Sequence, residues 1–236
     1  MMLNQAAMSE VSNPCRVACV TGGAKRIGRA LVLALHQANY NIIIHYHTSE
    51  SEAIELVDYC NAIRPQSAKS VQGDLEDFET LPQLTWRIIN SFGRLDCLVH
   101  NASRFYPTPF GQISQQDWQN LFLTNAQTPL FISQYLYPYL KKSQGCIISI
   151  LDIHANGKPF GGYTVYNMAK AAHQMMVQSL AIELAPDIRV NGIAPGINIL
   201  PMEGTEQALT AETIEKICHA VPLKRIGTPQ DIAQVA

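Results

Sequence analysis

The feature that most limits the fold is a short apolar run led into a helix through a glycine turn, Val17-Ala-Cys-Val-Thr-Gly-Gly-Ala-Lys-Arg-Ile-Gly28, with apolar residues at helical spacing from Ile27 to Ala38. Gly22 and Gly28 lack a Cβ and permit close backbone approach to an anion, while the first amides of the helix point at it. Strand, glycine turn and helix in this order describe an opening that cradles a dinucleotide pyrophosphate, with Thr21 and Ile27 flanking the turn. The spacing Thr21-Gly22-x-x-x-Arg26-x-Gly28 departs from the usual three glycines, because Arg26 stands where the middle one is expected. Its guanidinium should project over the phosphates or the reaction centre.

The rest of the chain repeats the alternation. Strand-like runs occur at Arg16 to Val20, Asn41 to His45, Ala68 to Gln72, Leu95 to Asn101, Cys146 to Ile150 and Ile188 to Ile193. Helical segments are expected at Ser49 to Ile63, Asp77 to Ser91, Gln116 to Lys142 and Tyr163 to Ala185, with a shorter one at Thr210 to Ala220. Strands separated by crossover helices imply an α/β fold: one doubly wound Rossmann domain, its sheet parallel and its helices on both faces. The 236 residues suit a single domain over 15–236 behind a loose N-terminal tail, 1–14. Thr228 and Pro229 open a further helix, after which one more edge strand is expected beyond residue 236.

A net charge of −2 offers no basic footprint for nucleic acid, and no apolar run reaches the length of a membrane span. Charged residues make up only 15% of the chain, which points to surface covered by subunit contacts. Six cysteines without a Cys-x-x-Cys pair read as buried thiols of a reducing, cytoplasmic compartment, and no metal site is expected.

Chemistry enters with Tyr163-Thr-Val-Tyr-Asn-Met-Ala-Lys170, in which Tyr166 and Lys170 are four apart on one helical face. A free tyrosine has a pKa of about 10, so a neighbouring cation is needed if it is to give up its proton near neutral pH, and Lys170 is placed to be that cation. Asp152, at the end of Ile147-Ile-Ser-Ile-Leu-Asp152, is the strongest chemical discriminator. A serine donates a hydrogen bond to a substrate carbonyl, whereas an ionised aspartate only accepts and would repel a developing alkoxide. Asp152 therefore argues against an ordinary ketone substrate, with Ser149 and Ser114 as the serines to consider if the register differs.

With both motifs in hand, the chain resembles the short-chain dehydrogenase/reductase family over essentially its whole length, through Asn101-Ala102, Asn125 and Arg189-Val-Asn-Gly-Ile-Ala-Pro-Gly196 as well. The resemblance implies that Asn101 lines the cofactor, that Asn125 holds a proton-relay water, and that Pro195 and Gly196 flank the nicotinamide. Thr21-Gly-Gly-Ala-Lys-Arg-Ile-Gly-Arg-Ala30, His45-Tyr-His-Thr-Ser49 and Asn101-Ala-Ser-Arg-Phe-Tyr-Pro-Thr-Pro-Phe110 are similar to the pteridine reductase branch. In that branch Arg26, Ser103 and Phe105 contact the pterin, Asp152 pairs with Tyr166 in delivering a proton to a ring nitrogen, and Asp74, followed by Leu75, contacts the adenine. The loop between Asp152 and Tyr166 is one residue longer than in the protozoal members, and His154 and Lys158 in it are expected to alter the substrate rim.

Cofactor choice is read from the end of the second strand, where an NAD enzyme carries a carboxylate for the ribose hydroxyls. His45, Tyr46, His47, Thr48 and Ser49 stand there instead, Ser49 and Thr48 opening a helix that favours an anion, with His45, Lys25 and Arg26 as added positive charge. The expectation is an NADPH-dependent reductase of a pterin or folate C=N bond, with Asp152, Tyr166, Lys170 and Asn125 catalytic. The family resemblance implies a homotetramer packed through the Gln116 to Lys142 and Tyr163 to Ala185 helices. The alternatives are a 3-oxoacyl thioester or small-ketone reductase, or an NADPH-binding interaction module without turnover.

Overall fold

The computed structural model of the protein describes residues 15–198 and 210–236. The expected tail, 1–14, lies outside them. Six parallel strands, β1 (Val17–Val20), β2 (Asn41–Tyr46), β3 (Ala68–Gln72), β4 (Cys97–His100), β5 (Cys146–Ile150) and β6 (Arg189–Ile193), are ordered β3-β2-β1-β4-β5-β6. This is the doubly wound Rossmann arrangement that the alternation implied. The order reverses between β1 and β4, whose register pairs Ala18 with Cys97 and Val20 with Val99, so a crevice opens beyond the carboxyl ends of these two strands. β6 is the outer strand of the described sheet, and the edge strand expected beyond residue 236 falls outside it.

The four inner strands, β2, β1, β4 and β5, are buried on both faces because both are covered, whereas the outer β3 and β6 are partly exposed. Ala18, Val20, Ile42 and Ile44 pack with residues of α1 (Arg26–Gln37) and α2 (Glu50–Ile63) on one side. Val17, Cys19, Ile43 and Leu98 pack with α3 (Leu81–Phe92), α5 (Thr128–Ser143) and α6 (Thr164–Glu183) on the other. A third, smaller cluster joins Leu121 of α4 (Gln115–Phe122) to Val165 and Tyr166, and so ties the head of α6 to the crevice. The chain closes with α7 (Ala211–Ala220) and α8 (Pro229–Ala233), the latter begun by the expected Thr228 cap. None of the described helices is long and apolar enough to cross a membrane.

The expected Gln116 to Lys142 helix is not uniform. It runs as α4, then widens into a π-helical turn at Leu123–Gln127, then continues as α5. Pro129 gives the physical reason: it has no N–H to donate to the carbonyl of Asn125 four residues earlier, and its ring crowds that turn, so the helix loosens there. The widened turn carries Asn125 itself.

Candidate active site

The crevice is a cavity of about 740 Å³, bounded by the glycine turn, the start of α2, the ends of β4 and β5, and the head of α6. Its cofactor side begins at Gly28, where an added Cβ would stand 2.1 Å from the Gly22 carbonyl oxygen and 2.8 Å from Asn101 Nδ2. The turn is therefore a cradle that only glycine can form. Asn101 clasps it from β4, donating through Nδ2 to the carbonyls of Thr21 and Gly22, both at 3.0 Å. Buried Thr21 accepts the Asn101 and Ala102 amides on its hydroxyl, at 3.0 and 3.2 Å. These contacts, with the first amides of α1 facing the space, fit a dinucleotide pyrophosphate.

Arg26 begins α1 with a φ of 52°, so the position where a glycine was expected does require left-handed backbone, and an arginine carries it. Its exposed side chain lines the cavity, as do Gly22, Ile27 and Lys25. Lys25 Nζ lies 2.6 Å from Glu52 Oε1, in the first turn of α2. Tyr46, His47, Thr48 and Ser49 line the same end.

His45 corrects an expectation. It is buried, and burial lowers its pKa to about 4, so it is neutral rather than a source of positive charge. Nδ1 accepts the Gly22 amide at 3.2 Å and Nε2 donates to the Gly73 carbonyl at 3.1 Å, which makes the ring a strut under the glycine turn. Asp74 and Leu75 also stand back from the cavity. The Asp74 carboxylate caps the Glu76 amide at 2.9 Å and lies 3.7 Å from His47, while buried Leu75 accepts Thr128 Oγ1 on its carbonyl at 2.7 Å.

On the opposite side, Tyr166 Oη donates to Asp152 Oδ2 at 2.7 Å. Asp152 serves two ends, since its Oδ1 also accepts the His154 amide at 2.8 Å and caps a short 3₁₀ turn at Ile153–Ala155. Lys170 is buried and donates to the Ile150 carbonyl at 3.0 Å; burial brings its pKa down to about 8, with Asp152 opposing. The expectation that Lys170 depresses the Tyr166 pKa is not what governs the phenol here. Burial first, then the charge and hydrogen bond of Asp152, hold it well above the ordinary tyrosine range. The proton is thus held on Tyr166.

Asn125 lies behind this pair rather than on the cavity wall. Its Nδ2 donates to the carbonyls of Arg104 and Leu121, at 2.9 and 3.0 Å, and its Oδ1 accepts Ser103 Oγ at 2.6 Å. Ser103, Ala102, Pro195 and Gly196 complete the wall, and Ser149 is buried while Ser114 caps α4, so neither takes the place of Asp152.

Phe105 stacks on Tyr163 with centroids 4.5 Å apart and meets Tyr166 edge-on at 4.8 Å. Tyr163 leans on Phe160 at 4.6 Å, and Phe160 on His154 at 5.2 Å. Phe160 and Tyr163 were not singled out from sequence. The available signal was the run of aromatics at 160, 163 and 166, three residues apart on the approach to α6.

The fold and crevice together define a nucleotide-dependent α/β enzyme class, and comparison with known proteins narrows it. The short chain dehydrogenase family profile matches residues 16–208. Pteridine reductase 1 of Leishmania tarentolae is 36% identical over 223 residues, covering 78% of this chain and 77% of that protein. Hydroxynaphthalene reductase arp2 of Aspergillus fumigatus is 30% identical over 231 residues, covering 93% and 84%. An uncharacterized oxidoreductase of Mycobacterium tuberculosis is 31% identical over 223 residues, covering 94% and 83%. The chain belongs to the short-chain dehydrogenase/reductase family, whose members are oxidoreductases that use nicotinamide cofactors on small-molecule substrates.

Proposed function

We propose that the protein is an NADPH-dependent pteridine reductase, reducing the C=N bond of a dihydropterin or pterin, and of dihydrofolate, to the tetrahydro form. One observation carries the reading: the cavity presents to its substrate the carboxylate of Asp152 paired to the Tyr166 phenol at 2.7 Å. Protonation of a ring nitrogen builds positive charge, which a carboxylate favours; carbonyl reduction builds negative charge, which it opposes. When bound, the nicotinamide supplies the hydride for the adjacent carbon. Tyr166 gives its proton to the ring nitrogen, Asp152 orients the phenol and balances the charge, and Lys170 recharges the tyrosine. Phe105, braced from behind by Tyr163, offers a flat face to a bicyclic ring, with Arg26 and Ser103 at its edge.

The preference for NADPH is supported by the absence of a carboxylate within His45–Ser49 and by Lys25 and Arg26 on the cavity wall. The likeness to the Leishmania protein agrees with the substrate class. A tetramer is part of the same proposal, because Trp118, Leu130, Tyr139, Met175 and Ile182 leave apolar surface exposed on α4, α5 and α6. Light scattering on the purified protein tests it.

The names of the fungal relatives, which align over 93% of the chain, favour a second reading in which a hydroxynaphthalene is the substrate. NADPH oxidation with dihydrobiopterin, dihydromonapterin, dihydrofolate, a hydroxynaphthalene and an acetoacetyl thioester separates them. Pterin turnover lost in both Tyr166→Phe and Asp152→Ser supports the proposal. Turnover of the carbonyl compounds alone, or undiminished pterin turnover in Asp152→Ser, overturns it, and NADPH binding without turnover marks an interaction module.

A further inference from the structure

The Phe105 wall of the cavity rests on a segment with little backbone support. From Ser103 to Pro107 the main chain makes no hydrogen bond to other main chain among the described residues. It is anchored at its ends, where the Ala102 amide donates to Thr21 Oγ1 at 3.2 Å and the Thr108 amide to the Gly162 carbonyl at 2.7 Å. A stretch without a ladder is placed by side chains, so where Phe105 stands depends on what grips its neighbours.

Two side chains supply the grip. Asn125 donates to the Arg104 carbonyl at 2.9 Å and accepts the Ser103 hydroxyl at 2.6 Å. The other is Glu76, which the chemistry above does not use. It lies in the loop after β3, where the Asp74 carboxylate caps its amide at 2.9 Å. Its Oε1 accepts Thr124 Oγ1 at 3.1 Å and the Nε–H of Arg104 as well. Thr124 is buried in the widened turn, next to Asn125. A single carboxylate oxygen thus joins the loop after β3, the loop after β4 and the turn that carries Asn125.

Ser103 and Phe105 line the cavity, whereas Arg104 between them does not and reaches back to Glu76. The Glu76 side chain is 24% exposed, against 42% for Glu52 in its pair with Lys25. A partly shielded carboxylate with two donors holds its partners more firmly than a lone surface pair. We infer that Glu76 is a positioning residue: through Arg104 it fixes the Ser103–Phe105 segment, and with it the ring that stacks on the substrate. The inference rests on Phe105 being that stacking face. Loss of the tether lets the segment slide and takes Phe105 off its edge-on contact with Tyr166, at 4.8 Å, while the glycine turn, clasped separately by Asn101, keeps its shape.

A ligand-free spectrum and a kinetic cycle test it. With 4-fluorophenylalanine placed at position 105, the fluorine resonance is expected to move toward its unfolded-chain value in Glu76→Ala; an identical spectrum overturns the inference whatever the substrate proves to be. In Glu76→Ala, KM for dihydrobiopterin is expected to rise about tenfold, with kcat within about twofold and the dissociation constant for NADPH unchanged. Glu76→Gln, which still accepts from both donors, should lose less. Arg104→Ala should match Glu76→Ala, and combining the two should add nothing further. Unchanged KM in folded Glu76→Ala, or losses that simply add, overturn the positioning role. If the resonance moves but the wild type turns over no pterin, the substrate assignment fails and the tether stands.

Discussion

The carboxylate of Asp152 holds the phenol of Tyr166 at 2.7 Å, and the partner that faces the tyrosine is thus an anion, while the cation Lys170 turns its ammonium to the Ile150 carbonyl. The tyrosine is therefore set to keep its proton.

Removing the anion should lower the phenol pKa. In Asp152→Asn, spectrophotometric titration is expected to show one tyrosine ionising at lower pH than in the wild type, and a Tyr166→Phe background identifies it. Pterin turnover in the same variant should drop by about 10²–10⁴, the usual contribution of an acid–base partner. An unmoved titration would mean that burial alone governs the phenol.

Lys170 carries a pH signature in the free protein. Its pKa falls from 10.5 to about 8 on folding, so between these values the unfolded chain binds the extra proton and stability rises with pH. Below about 8 the full penalty of burying the charge is present, of order 3 kcal/mol. Denaturant unfolding across this range should show a slope in the wild type that is flattened in Lys170→Met, and parallel curves would contradict it.

Gly28→Ala should abolish cofactor binding, because its Cβ would meet the Gly22 carbonyl at 2.1 Å. The accompanying strain is expected to cost about 1–3 kcal/mol in thermal or denaturant unfolding. Retained quenching of NADPH fluorescence would show that the turn can shift.

Glu52→Gln should free Lys25 and remove a negative charge from the first turn of α2. The dissociation constant for NADPH is expected to fall about two- to fivefold while that for NADH barely moves, given the modest worth of an exposed pair. Equal changes for both cofactors would place Glu52 away from the 2′-phosphate.

Much of this was legible in the chain itself. Period and punctuation located the six strands, because the central runs are buried on both faces, while the outer β3 and β6 are marked by the alternation of strand and helix around them. Asp152 was read as a chemical group; the structure also makes it a cap, since one oxygen accepts the His154 amide while the other accepts the Tyr166 hydroxyl. The sequence could not show that His45 is a buried strut, for a histidine at a strand end reads as charged until its surroundings are known. Nor did composition reveal Phe160 and Tyr163 as cavity walls, because aromatics near a helix start are ordinarily core. The widened turn was hidden for a subtler reason. Pro129 is ordinary at the start of a helix, and only the continuity of α4 with α5 makes it a disturbance.

That turn at Leu123–Gln127 has an evolutionary corollary. It holds a surplus residue that regular helix would not need, and Pro129 makes the surplus tolerable. Deleting one residue alone would drive the proline ring into the preceding turn, and replacing the proline alone would leave the extra residue stranded. Reversion to a plain rod therefore asks for both changes together, the deletion and the loss of the proline.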